Sequence, residues 1–129
     1  MGFRYKKKAT RHYEDLVADC ARLAIGLKEP LTCAVAVEVV AIVKRPKTVR
    51  IRHPAYGTTG RVWCPMYFDV DNLAKSILDG MNRACVYKDD RLVVRLDVIK
   101  LFGAVGEDPH CVVTVSEVVP GEWGDRLKR

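Results

Sequence analysis

A chain of 129 residues, 49% of them hydrophobic and 29% charged, has material for one domain around one core and too little for a second. Its 22 lysines and arginines against 16 acids leave a formal charge of +6, which suits a polyanionic partner without naming one. No apolar run reaches membrane-spanning length and the lysine-rich start has no apolar signal core behind it, so no membrane role and a cytoplasmic location are expected.

In chain order, residues 1–9 read as a basic arm, with Arg4, Lys6, Lys7 and Lys8 continued by Arg11. From Thr10 to Leu27, Tyr13, Leu16, Val17, Cys20, Leu23, Ala24 and Leu27 recur at helical spacing with charges opposite, predicting an amphipathic helix. Thr32 to Val43 is dense in β-branched residues and apolar on both faces, the pattern of a central strand. Residues 44–60 break that pattern with prolines, glycines and cations and read as a basic loop. Arg61 to Phe68 reads as a short strand in which Pro65 argues for an edge or a bulge.

Asp71 to Arg83 reads as a second helix, with Leu73, Ile77, Leu78 and Met81 as its apolar stripe and Asp71, Lys75 and Asp79 aligned opposite. Arg91 to Phe102 and Cys111 to Val119 alternate as strands. They are expected to be antiparallel neighbours joined through Gly103 to Pro109. The predicted fold is α/β of the α+β kind: a small mixed sheet packed by two helices over residues 1–119, with a polar, poorly ordered tail at 120–129.

Five cysteines with no CxxC pair and three dispersed histidines match no zinc spacing, so the thiols are expected to be reduced and buried. The acids are different. Asp69 and Asp71 flank the entry to the second helix and Asp89 and Asp90 precede a strand. Gathering them on a cationic chain is opposed by repulsion unless a cation lies between them. Each alone is most simply a helix cap or a turn former, because Asp is a favoured N-cap and suits the positive end of the helix dipole. Only one residue can cap a helix, however, and as a set they suggest a hard-cation site with converging carboxylates. Lys75, one turn beyond Asp71, is placed either to pair with Asp71 or Asp79 on the surface or to reach a bound phosphate.

Two other motifs fail on spacing. A calcium loop from Asp69 would need a polar ligand where Leu73 stands and glycine where Ala74 stands. A restriction-type nuclease core wants an acid, one spacer and a lysine, whereas Asp97, Val98, Ile99, Lys100 has one spacer too many. Between Val39 and Phe68 there is no acid at all, while Lys44, Arg45, Lys47, Arg50, Arg52 and Arg61 supply positive charge with Tyr56 and Trp63 interleaved. That is a candidate track for a phosphate backbone. Together with the N-terminal arm it favours a nucleic acid over a nucleotide as substrate.

The run Asp69 to Lys75, then Leu78, Asp79, Asn82, then Val86, Tyr87, Lys88, Asp89, Asp90, with Val93 and Lys100 following and Arg45, Pro46, Lys47 preceding, resembles the RusA family of Holliday-junction resolvases. The likeness spans roughly Arg45 to Glu117 and is far more specific than an isolated pair of aspartates. It implies a small mixed α/β fold, a homodimer, and magnesium-dependent nicking of four-way DNA in recombination and repair, with manganese a plausible substitute, in a bacterium or a phage or prophage. Carried over by position, the family's essential acids fall on Asp69, Asp71 and Asp90, with Asp89 beside them, and its lysine on Lys75. Phe68 stands where many relatives have proline. The family's N-terminal strand is expected to be missing or very short. A non-catalytic branched-DNA-binding protein and a magnesium-dependent nucleotide hydrolase are the competing readings.

Overall fold

The computed structural model describes residues 1–5, 13–46, 60–119 and 121. Its elements are β1 (Gly2–Tyr5), α1 (Tyr13–Ile25), β2 (Val35–Val43), β3 (Val62–Trp63), α2 (Val70–Arg83), a 3₁₀ turn (Asp90–Leu92), β4 (Val93–Phe102) and β5 (His110–Glu117). The strands form one mixed sheet in the order β1-β5-β2-β4-β3, with β2 and β4 parallel and every other pair antiparallel. The predicted α+β architecture of a mixed sheet with two helices is therefore present.

Period-two alternation places β2 at the centre. Val35, Val37, Val39 and Ala41 are buried, while Glu38 between them is exposed. The buried set joins Phe3, Tyr5, Cys111, Val113 and Val115 from the flanking strands and Leu16, Val17, Ala21, Leu73, Ile77 and Met81 from the helices in one core. Both helices thus cover the same face of the sheet. They meet closely at Gly80, where a Cβ would stand 2.8 Å from the Val17 side chain and 2.9 Å from the Glu14 carbonyl oxygen. At the rim of that contact Arg83 pairs with Asp15 at 2.6 Å and Glu14 at 3.3 Å.

The structure corrects several expectations. β4 and β5 are not neighbours, because β2 lies between them, pairing in parallel with one and antiparallel with the other. The connection from Gly103 to Pro109 crosses the end of β2, and the Gly103 N–H donates to the Val43 carbonyl at 2.8 Å. The N-terminal strand, expected to be missing or very short, is four residues long, with Phe3 and Tyr5 buried against β5 within what the sequence presents only as a basic arm. On α1 the buried face is Leu16, Val17, Ala18, Ala21 and Ile25, so Leu23 and Leu27, assigned to the apolar stripe, are exposed. The strand expected over Arg61 to Phe68 is reduced to Val62–Trp63, at an edge as Pro65 requires. A register shift at the start of β4 turns Val94 outward and brings Val93 to the helix side.

All five cysteines are free thiols, but only Cys64 and Cys111 are buried, and Cys85 is exposed. Among the described residues no helix is long and apolar enough to cross a membrane. Apart from Gly121, the tail at 120–129 lies outside the described residues.

Candidate functional site

Asp69 is delivered to the surface by the strand-to-helix segment before it, and one lysine organises that segment. The Cys64 N–H donates to the Lys100 carbonyl at 3.2 Å, continuing the edge of β3 for one more residue. The chain then turns through Tyr67, whose φ of +74° lies in the left-handed region. A bulky residue there costs roughly 1 kcal/mol or more. The Lys100 ammonium donates to the carbonyls on either side of it, Met66 at 2.8 Å and Phe68 at 2.6 Å. It also lies 5.2 Å from the centroid of the Phe68 ring. A charge-assisted clamp on both flanking carbonyls holds the strained turn that ends at Asp69.

Asp69 occupies the N-cap of α2 with extended backbone, but its side chain makes no cap hydrogen bond. Asp71 follows in the first turn, and both are exposed. The simple capping explanation therefore fails for Asp69. Its backbone begins the helix, accepting from Leu73 N–H at 3.2 Å, while the carboxylate remains uncommitted. Lys75 is exposed and makes no ion pair among the described residues, so its surface pairing with Asp71 or Asp79 is not formed.

The second acid pair is built differently. Residues 86–88 are tied to Leu31, which donates to Val86 at 3.0 Å and accepts from Lys88 at 2.8 Å. This brings Asp89 to the 3₁₀ turn. Asp89 accepts from the Arg91 N–H at 2.8 Å and pairs with its guanidinium at 3.1 Å. Those contacts, the backbone one first, hold its carboxyl below the usual range. Asp90 is exposed. The buried Tyr87 hydroxyl donates to the Leu78 carbonyl at 2.7 Å, and its pKa is raised by burial and then by the nearby charges of Asp90 and Asp79.

Among the described residues no three Asp, Glu, His or Cys side chains come together as a preformed metal centre. What one chain presents is a pair of carboxylates at the start of α2, a lysine one turn on with no ion pair among the described residues, and Asp89 with Asp90 at the 3₁₀ turn.

The candidate backbone contacts divide three ways. Arg45 donates to the Gly60 carbonyl and so ties together the two ends of the segment between them. Arg61 forms a two-pronged pair with Glu107, at 3.0 and 2.6 Å, which pulls the Glu107 pKa down to about 2. Lys44 is exposed, and Lys47, Arg50 and Arg52 lie outside the described residues. Asp97 and Lys100, the acid and lysine of the rejected restriction-type motif, sit on opposite faces of β4. Lys100 shares the row of Ala41, whereas Asp97 is opposite Glu38 and pairs with Arg95 at 3.2 Å.

Sequence reasoning missed the role of Lys100, although a signal was present. Alternation puts this cation on the same side of β4 as Leu96 and Val98, and a lysine on the helix side of a strand needs buried acceptors.

A small α+β fold presenting carboxylates and, among the described residues, an ammonium without an ion pair at the start of one helix suits chemistry on a phosphodiester. The family model for the endodeoxyribonuclease RusA matches residues 2–116, from β1 into β5, and the chain belongs to that family. No curated protein gives a significant match.

Proposed function

We propose that this protein is a structure-selective endodeoxyribonuclease that resolves Holliday junctions as a homodimer, by magnesium-dependent hydrolysis with paired symmetric nicks. The observation that carries this reading is the start of α2: a cap-position aspartate whose carboxylate makes no cap bond, a second aspartate two residues on, and one turn further a lysine with no ion pair among the described residues. Family membership supplies the DNA-cleaving class.

The donor set fits the cation. Magnesium takes oxygen ligands, keeps several waters, and is commonly held by one or two carboxylates together with substrate phosphate rather than by an all-protein cage. Asp69 and Asp71 would hold it, with Asp89 and Asp90 as the second acidic pair. When bound, the ion lowers the pKa of a coordinated water and stabilises charge on the phosphate oxygens. Manganese would serve in the same way.

The residues of the chain supply the rest. Lys100 and the Tyr67 turn hold Asp69 in place before substrate arrives. Lys75, one turn beyond Asp71, offsets charge that grows on the scissile phosphate. Asp90, next to Asp89, is the further acid of the site. Lys44, with Lys47, Arg50, Arg52, Arg45 and Arg61 of the same basic stretch of sequence, would supply contacts to the phosphate backbone. A two-fold dimer offers one site to each of two symmetric strands of a four-way junction.

The test is incubation with a labelled synthetic four-way junction, a linear duplex and a nucleoside triphosphate, each with and without magnesium. Paired nicks in the junction alone, dependent on metal, are expected. Junction binding without cleavage would establish the non-catalytic alternative, and triphosphate turnover the hydrolase.

A further inference from the structure

We propose that a cavity between the starts of α1 and α2 receives an unstacked nucleobase of the DNA substrate; this rests on the nuclease reading above. Tyr5, Cys111, Ala41 and Lys100 are successive partners across the sheet on the face the helices cover. Over the first three of them lies a cavity of about 380 Å³, walled by Tyr5, Tyr13, Phe68, His110 and Lys44 with Ala41 beneath. The volume is in the range of small-ligand sites, which are mostly apolar with a few convergent polar groups.

The walls have the character a base requires. Tyr13 meets Tyr5 edge-on at 5.7 Å and 85°, and Phe68 is also a wall, so a planar ring has aromatic faces to stack on. Two polar groups stand in the wall. Tyr5 is only 3% exposed, and its hydroxyl has no hydrogen-bond partner among the described residues. His110 is 6% exposed, and its Nδ1 lies 2.8 Å from the Asp108 carbonyl. A carbonyl can only accept, so Nδ1 carries the proton and Nε2 of the neutral ring is left as an acceptor. A buried hydroxyl without a partner is costly. A base edge, rich in donors and acceptors, would relieve that cost at Tyr5 and donate to His110.

The position fits DNA at the site. Phe68, one wall, directly precedes Asp69 and is the residue whose carbonyl Lys100 holds, so a base in the cavity belongs to a nucleotide next to the one at Asp69 and Asp71. Lys44 contributes charge at the rim. The basic runs Lys6, Lys7, Lys8, Arg11 and Lys47, Arg50, Arg52 adjoin wall residues Tyr5, Tyr13 and Lys44 in the sequence. The cavity also lies at the carboxyl end of the parallel strand β2, where crevices in such sheets take their ligands.

Four-way junctions carrying 2-aminopurine at single positions around the branch point, bound in calcium so that they are not cut, test this directly. Unstacking raises the fluorescence of this base analogue. A several-fold rise at one position within a nucleotide or two of the nick is expected. Ala41→Met, which fills the floor, should remove that rise, with junction affinity lowered no more than several-fold and the fold checked by thermal melting. Tyr5→Phe, which deletes only the unpartnered hydroxyl, should keep the fold and the rise but reduce discrimination among bases at that position by roughly two- to tenfold.

If Ala41→Met melts early, Tyr5→Phe decides, and unaltered base preference overturns the proposal. So does a junction that binds with no rise at any position, or a rise that survives the filled floor. A protein that binds no junction at all sinks the functional reading itself, and this proposal with it.

Discussion

Asp69 with Asp71 and Asp89 with Asp90 look alike as pairs of acids at element boundaries, but the structure gives them different work. Asp89 does what a turn aspartate does: it accepts from a backbone N–H two residues on and neutralises the arginine that donates it. Asp69 sits at a true helix N-cap and leaves the cap bond unmade, while Lys100 holds the preceding carbonyl from behind. One carboxylate is used up by local structure. The other makes no cap bond and follows a turn that is costly to form, which is what the proposed role asks of it.

That contrast can be broken by mutation. The largest effect is expected at the start of α2: Asp69→Asn or Asp71→Asn should cut junction nicking by about a hundredfold or more, while gel shifts show binding retained or tightened as repulsion with DNA falls. Asp89→Asn should instead lower the melting temperature and leave more nicking. Equal loss of cleavage from all three, with unchanged melting, would erase the distinction between the pairs.

Next comes the clamp. Lys100→Met should reduce nicking by about tenfold, an estimate for misplaced but intact catalytic groups, and move the magnesium midpoint upward, with Lys100→Arg recovering part of both. Magnesium binding followed calorimetrically without DNA gives the second readout. A loss of stability with an unmoved metal midpoint would make Lys100 merely structural.

A smaller effect is expected away from the site. Gly80→Ala introduces a methyl group into the α1–α2 contact, where backbone leaves no room, and should cost about 1–3 kcal/mol in denaturant unfolding without changing the ratio of nicking to binding. Smallest is the acid limb of stability. Glu107 has its pKa lowered from 4.5 to about 2 by Arg61, so the folded state binds fewer protons than the unfolded chain between those values. The stability from this pair is fully present above pH 4.5 and is lost as pH falls towards 2. Melting curves of Arg61→Gln across that window should therefore fall less steeply than those of the parent.

Much of this could be read in the chain because the relevant forces are local. The stripe Leu73, Ile77, Met81 has helical spacing, the β-branched run from Thr32 to Val43 is apolar on both faces as a central strand is, and the acids are clustered. What escaped was everything set by a distant partner. The alternation Phe3, Tyr5 is too short to register until β5 pairs with it. Leu23 and Leu27 match the apolar stripe as well as Ala21 and Ile25 do, and only the approach of α2 at Gly80 chooses between them. Arg61 is one more cation in a basic run until Glu107, 46 residues later, is folded against it.

The sequence by itself determined the element types, the acidic row with its lysine and the family, since periodicity and motif spacing are properties of neighbouring residues. Tertiary structure alone decided that β2 separates β4 from β5, that Asp89 is consumed by its own turn while Asp69 is not, and that Lys100 braces the turn behind the site. Those outcomes depend on which groups satisfy each other's hydrogen bonds and charge once the sheet has closed, and no residue's immediate neighbours in the chain carry that information.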